Sequence, residues 1–269
     1  MTTIVGLTHP GNRPGENQDS IGWDEKRCLA LVADGLGGHA GGQVASRIVK
    51  ETVLNFVGTL GLPAALLRAH SAIIEAAKQG DEVRGMASTI VAVQIKRSKA
   101  TVMWVGDSRA YLWRGGALTR LTRDHSVVEE LRASGGLSET QVRTHPLRNE
   151  VTNVLGAGEP EPDRNEIALK PGDWIMLCSD GLHGELRDEE MAELLAGATS
   201  SDAPQMLVDA ALEKGGRDNV SVVLVAFEGA GGRWPARLSE GATNWLAVLG
   251  GIVLAVLIAA AAVWLGRKR

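Results

Sequence analysis

Ser88-Thr89-Ile90-Val91-Ala92-Val93-Gln94-Ile95-Lys96-Arg97-Ser98-Lys99-Ala100-Thr101-Val102-Met103-Trp104-Val105-Gly106-Asp107-Ser108-Arg109-Ala110-Tyr111-Leu112-Trp113 is the stretch that decides the fold class. Its apolar runs, Ser88 to Ile95, Thr101 to Val105 and Arg109 to Trp113, follow one another with only short polar or glycine breaks. A parallel crossover needs a dozen or more residues, so strands this close in sequence pair as antiparallel hairpins. Working outward, strands are expected at Leu29–Ala33, Trp174–Cys178 and Val220–Phe227. Helices are expected at Gln43–Phe56, Pro63–Gln79, Asp188–Leu195 and Pro204–Lys214, where apolar residues recur at three and four. The order reads strands, two helices, strands, helix, strands, two helices, strand. Helices in pairs, not one after each strand, predict an α+β layered domain.

The chain has 269 residues, 44% of them hydrophobic and 22% charged, enough to bury one core with length left at the C-terminus. A formal net charge of −4 gives no broad cationic face, which argues against a nucleic-acid partner. Cys28 and Cys178 each lie in an apolar run and are expected to be buried thiols, not a disulfide framework. The N-terminus lacks a basic region followed by a long apolar stretch, so no secretory signal is expected and the main domain should remain in the cytoplasm.

From Trp245 to Leu265 the chain is uncharged and rich in Ala, Val, Leu and Ile, a helix about 32 Å long if formed. It is apolar on every face, with Trp245 and Trp264 at interface depth, which predicts a single-pass membrane anchor, not a core helix. Arg267, Lys268 and Arg269 follow it, and the positive-inside rule taken alone favours a cytoplasmic tail. Exporting a whole folded domain would need a signal that moving a few terminal residues does not, so the domain is placed on the cytoplasmic side. The expected organisation is a catalytic domain over 1–228, a Gly-rich linker over 229–243, a transmembrane helix over 244–266 and a basic tail over 267–269.

Aspartates recur at the ends of the apolar strands: Asp34, Asp107 and Asp180 after them, and Asp218 just before the last. One such residue is most often a turn former. Four together, each beside small or turn residues, would repel one another if the strand ends converge. An oxygen-only ligand set of this kind selects hard cations such as Mg²⁺ or Mn²⁺ and points to a multi-metal hydrolase. Neither cysteine has an arginine placed to cradle phosphate, so a covalent cysteinyl route is not expected.

Ordered matches from about Arg13 to Phe227 resemble the metal-dependent protein phosphatases of type 2C, the PPM family. They are Asn17-Gln18-Asp19-Ser20, Val32-Ala33-Asp34-Gly35-Leu36-Gly37-Gly38-His39-Ala40-Gly41-Gly42, Met86-Ala87-Ser88-Thr89, Trp104-Val105-Gly106-Asp107-Ser108-Arg109-Ala110-Tyr111, Leu121-Thr122-Arg123-Asp124-His125-Ser126, Cys178-Ser179-Asp180-Gly181-Leu182 and Arg217-Asp218-Asn219-Val220-Ser221. The resemblance implies a four-layer α-β-β-α sandwich of two antiparallel sheets flanked by helix pairs. It implies two tightly held Mn²⁺ or Mg²⁺ ions and a third, weaker one. Asp34 would bridge two metals, the Gly35 carbonyl would complete the second site, and Asp180 and Asp218 would hold the first. Asp19 would act through bound water, and Asp107 with Asp180 would form the weaker position. The implied activity is hydrolysis of phosphoserine and phosphothreonine by a hydroxide shared between two cations, attacking phosphorus in line. Phosphoproteins, among them a Ser/Thr kinase or its substrates, are the implied partners of a monomeric catalytic domain.

This chain departs from the family pattern in places. Arg13 stands one residue too far from Asn17 for the usual phosphate-binding arginine, a difference that a Pro14-Gly15 turn could absorb. Leu36 occupies a position where eukaryotic relatives carry a histidine thought to protonate the leaving group. His39 is expected to cap or pack the glycine loop, and His125 to be structural. Residues 126–157 correspond to a flap beside the metal site, a mobile surface segment. Rival readings are a phosphatase of small phosphoesters and an inactive, membrane-tethered phosphoprotein-binding module. The second is opposed by the intact set of aspartates.

Overall fold

The computed structural model describes residues 2–37, 40–80 and 83–228. In chain order these form β1 (Thr2–His9), β2 (Asp19–Asp24), β3 (Leu29–Leu36), α1 (Ala40–Leu60), α2 (Leu62–Ala77), β4 (Ala87–Ser88), β5 (Ile90–Lys96), β6 (Lys99–Val105), β7 (Arg109–Arg114) and β8 (Ala117–Arg120). They continue with α3 (Val127–Ala133), α4 (Glu139–Thr144), β9 (Asp163–Ala168), β10 (Asp173–Cys178), α5 (Asp180–His183), α6 (Asp188–Gly197), α7 (Ala203–Glu213) and β11 (Val220–Phe227).

The strands form two antiparallel sheets, ordered β1-β11-β10-β7-β8 and β2-β3-β5-β6-β9, with β4 paired to β3. Alternate residues of each strand enter different cores, because successive side chains point to opposite faces. In β3, Ala30 and Val32 pack between the sheets, whereas Leu29, Leu31 and Ala33 pack under α1 and α2. In β11, Val223, Val225 and Phe227 meet the other sheet, whereas Val220, Val222 and Leu224 meet α6 and α7. The layers are therefore α-β-β-α, as expected. Burial on both faces is why these strands read as continuous apolar runs without alternation. Gly61, with φ +77°, makes the corner between α1 and α2, and Pro63 follows inside the first turn of α2.

Some boundaries move for identifiable reasons. The expected strand Ser88–Ile95 is broken at Thr89, whose amide and hydroxyl bond to Asp34 and so leave the ladder. β3 runs on to Leu36 because Gly35 and Leu36 pair with Ser88 and Ala87 of β4. Cys28 is a correction: it is only half-buried, on a turn with φ +46° ahead of β3, because Arg27 and Cys28 close a hydrogen-bonded bend on Asp24 and Glu25. Cys178 is buried. Among the described residues no helix is long and apolar enough to cross a membrane. The linker, transmembrane helix and basic tail expected over 229–269 lie outside the described residues, as does His39.

Candidate active site

One end of the sandwich, where β2, β3, β6, β10 and β11 start or finish, gathers the aspartates. Asp19 opens β2 and is the antiparallel partner of Asp34 in β3. The Asp34 amide donates to Thr89 Oγ1 at 3.1 Å, while Thr89 N and Ser88 Oγ donate to the Asp34 carbonyl at 2.8 and 2.9 Å. Thr89 Oγ1 also shares a 2.9 Å hydrogen bond with Ser108 Oγ, next to Asp107. Gly106, at φ +106°, lets this turn close on Thr89: a Cβ there would lie 2.6 Å from Thr89 Cβ. Gly35 packs as tightly, since its Cβ would stand 1.9 Å from the Gly42 carbonyl oxygen. Bare backbone is thus required at these two turns.

The other sheet supplies Asp180, two residues after β10, and Asp218, two residues before β11. Ser179 and Ser221 reach across to the first sheet, their Oγ atoms donating to Asp19 Oδ2 at 2.7 and 2.6 Å. The Gln18 amide donates to Asn219 Oδ1 at 2.7 Å. These bonds stitch the two sheets together at the end that carries the carboxylates.

Asp19 and Asp107 are buried, Asp34 and Asp180 half-buried, and Asp218 exposed. Burial, with smaller contributions from the nearby Asp180 and Asp218, raises the Asp19 pKa from 3.8 to about 7, against the two serine bonds that lower it. Burial and repulsion from Asp218 raise Asp180 to about 6, against a hydrogen bond with Asp34. Asp34 and Asp107 are both held well above the usual carboxylate range, first by burial and then by neighbouring aspartates.

This arrangement fits divalent cations. Asp19 Oδ1 is buried without a hydrogen-bond partner among the described residues, and the donor set is all oxygen. Among the described residues no three His, Cys, Asp or Glu side chains form a ready cage for one ion.

Arg13, in the bend after β1, is exposed and lines a cavity of about 110 Å³ together with Arg148, Asp180, Arg217 and Asp218. A neighbouring cavity of about 330 Å³ lies beside Asp107, Asp180 and His183 and is walled by Val142, Arg143 and Thr144 of the flap. Arg143 ties the flap down, its Nη1 and Nη2 donating to the His183 and Gly184 carbonyls at 3.1 Å each. His125 is structural, accepting from the Gly106 amide at 3.1 Å and stacking on Trp104.

Several supporting residues carry no role in the sequence reading. Asp124 accepts from Arg109 Nη2 at 2.7 Å and from Arg120 Nη2 at 2.6 Å, a buried pairing beneath Asp107. Tyr111 continues the network, accepting from Arg109 Nη1 at 3.2 Å and donating to Asp188 at 3.1 Å. The quoted motifs contain Asp124, Arg109 and Tyr111, but nothing in a linear spacing pairs them. Ser179 precedes Asp180 and Ser221 follows Asp218 by three residues, yet only the contact between sheets brings them to Asp19.

The sequence model of the family described as "Protein phosphatase 2C" matches residues 12–214. The serine/threonine protein phosphatase PstP of Mycobacterium tuberculosis is 35% identical over 215 residues, which is 77% of this chain and 41% of that protein. The chain therefore spans less than half of that relative. The serine/threonine phosphatase stp of Listeria innocua is 32% identical over 234 residues, 81% of this chain and 93% of that protein. The solved catalytic domain of PstP in complex with two manganese ions is similar with a TM-score of 0.77 and 29% identity, covering 84% of this chain and 97% of that one.

Proposed function

Since this chain belongs to the protein phosphatase 2C family and is a serine/threonine protein phosphatase of that type, we propose that it hydrolyses protein phosphoserine and phosphothreonine at its aspartate cluster, with Mn²⁺ or Mg²⁺ held there. The observation that carries the reading is the convergence of the aspartates at one end of the sandwich, where Asp19 pairs in register with Asp34 and where burial, followed by repulsion from neighbouring aspartates, holds Asp34 and Asp107 well above the usual carboxylate range. Such repulsion is costly in an apoprotein and is relieved by cations.

In this reading Asp34, the Gly35 carbonyl, Asp180 and Asp218 would hold the two tighter ions, and Asp107 with Asp180 would hold a third, weaker one. When bound, the cations supply a water acidified toward neutral pH and neutralise charge on the phosphoryl oxygens. Ser179 and Ser221 hold Asp19 so that Oδ1 stays free to orient a water at the cluster. Arg13, on the wall of the cavity shared with Asp180 and Asp218, is suited to grip a phosphate through its guanidinium. Leu36 supplies no proton to the departing alkoxide, which leaves that step to water.

We assign 244–266 as a single-pass anchor on the strength of its uninterrupted uncharged composition, with 229–243 as linker and the catalytic domain on the cytoplasmic side. An enzyme so placed would reverse Ser/Thr kinase signalling at the membrane. The test of the catalytic reading is turnover of a phosphothreonine peptide by the wild type, Asp34→Asn and Asp180→Asn, with and without excess chelator. Chelation and either substitution should lower the rate by about a thousandfold or more with circular dichroism unchanged. Full turnover in chelator, or in either variant, would reject it.

A further inference from the structure

His183 closes α5, three residues after Asp180, and is buried, 8% exposed. Its ring Nε2 stands 3.1 Å from the main-chain oxygen of Asp107. A carbonyl oxygen can only accept, so Nε2 carries the hydrogen, and the bond fixes both the tautomer and the Asp107 peptide. α5 is a single turn, too short to hold its own shape, so what its side chains touch decides where it sits. The Gly184 amide closes that turn on the Asp180 carbonyl at 2.7 Å, and Arg143 grips the His183 carbonyl from the flap. His183 is therefore clamped at its main chain to the Asp180 turn and at its ring to the Asp107 turn. The Asp107 turn joins β6 of one sheet to β7 of the other, and β7 pairs with β10 with Arg109 opposite Cys178, so the two turns lie side by side and the imidazole ties one to the other.

We propose that His183 is a positioning residue for the cation shared by Asp107 and Asp180: donation from Nε2–H to the Asp107 carbonyl holds the two turns at the separation from which both carboxylates reach one ion. The inference rests on the reading of Asp107 and Asp180 as ligands of the weaker site. Partners that orient ligands in this way typically govern metal affinity by about 10- to 100-fold. The Asp180 turn is also closed by the Gly184 amide, so Asp180 would keep its place at the tighter pair, because the ring bond acts on the Asp107 peptide alone.

The experiment is a calorimetric Mn²⁺ titration of the full chain in detergent, comparing wild type with Asp107→Asn, His183→Phe, His183→Met and His183→Gln. Asp107→Asn should abolish the weakest binding class. His183→Phe and His183→Met, which fill the space without a donor, should weaken that class about tenfold and leave the tighter classes unchanged. His183→Gln, whose amide can donate to the same carbonyl, should stay within about threefold of wild type. In turnover, the Mn²⁺ concentration for half-activation should rise in parallel in the Phe and Met variants, with kcat at saturating Mn²⁺ within about twofold. If Phe proves too large to fold, Met decides. An unchanged weak class in the donor-free variants, with Asp107→Asn defective, overturns the role of His183 alone. Equal impairment of Gln and Met would also overturn it, since packing and not donation would then matter. A weak class unaffected by Asp107→Asn would remove the ligand assignment on which the inference stands.

Discussion

Ser221 holds Asp19 across 202 positions of sequence, its Oγ donating to Asp19 Oδ2 at 2.6 Å beside the 2.7 Å bond from Ser179. These bonds favour the ionised carboxylate against a burial that alone would push its pKa above the resulting value of about 7. Ser221→Ala should therefore raise the Asp19 pKa further. The acid limb of the activity–pH profile should move to higher pH, and stability should fall by about 1–3 kcal/mol because a buried acceptor loses a partner. A pH–rate profile and urea unfolding at pH 7 check both; an unmoved acid limb would exclude Asp19 from the rate-determining ionisations.

The aspartate cluster makes the metal-free protein sensitive to pH in a defined direction. Asp34 is held well above 3.8, so the folded protein keeps a proton that the unfolded chain has released. Stability from this group is greatest below the unfolded pKa and falls as pH rises toward the folded one. His70 and His183, whose burial lowers their pKa values, act oppositely, so the test is a difference between variants. In chelator, Asp34→Asn should raise Tm relative to wild type by more at pH 8 than at pH 5, and Mn²⁺ should stabilise wild type far more than the variant. Scanning fluorimetry measures this. An equal Tm difference at both pH values would mean that Asp34 ionises normally.

The membrane assignment predicts that the full chain fractionates with membranes and that a chain ending at Gly229 is a soluble, active phosphatase. Centrifugation with a phosphopeptide assay on both fractions is sufficient. Loss of the catalytic domain to protease added outside intact cells would reverse the assigned orientation.

Leu36 ends β3 half-buried, paired with Ala87 of β4. An alkoxide is a poor leaving group without a proton, whereas an activated phenolate departs unaided. Leu36→His should raise the rate on a phosphothreonine peptide several-fold more than on an activated aryl phosphate, provided by proton delivery to the ester oxygen. Equal changes on both substrates, with an unaltered dependence on leaving-group pKa, would show that protonation is not limiting.

Much of the architecture was legible because its signals are local. Val220–Phe227 appears as a strand with the boundaries expected from its apolar run, and α6 and α7 begin within one residue of their expected starts. The weaker strands escaped: β1, β2 and β9 mix polar and apolar residues, and β9 is an edge strand with an exposed face. Their pairing partners, not their own composition, make them strands. The flap also holds two short helices where one was expected, separated by the Gly135-Gly136 break.

By itself the sequence determined the layered antiparallel class, the strand ends that carry Asp34, Asp107, Asp180 and Asp218, and the family, because period, turn chemistry and ordered motifs all reside in short stretches of chain. Only the tertiary structure decided which groups act on those aspartates. Ser179 and Ser221 reach Asp19, Arg109 and Arg120 neutralise Asp124, and His183 meets the Asp107 carbonyl across contacts between separate elements. Such contacts depend on how two sheets stack and on how closely Gly35 and Gly106 let their turns approach, distances that no spacing along the chain encodes.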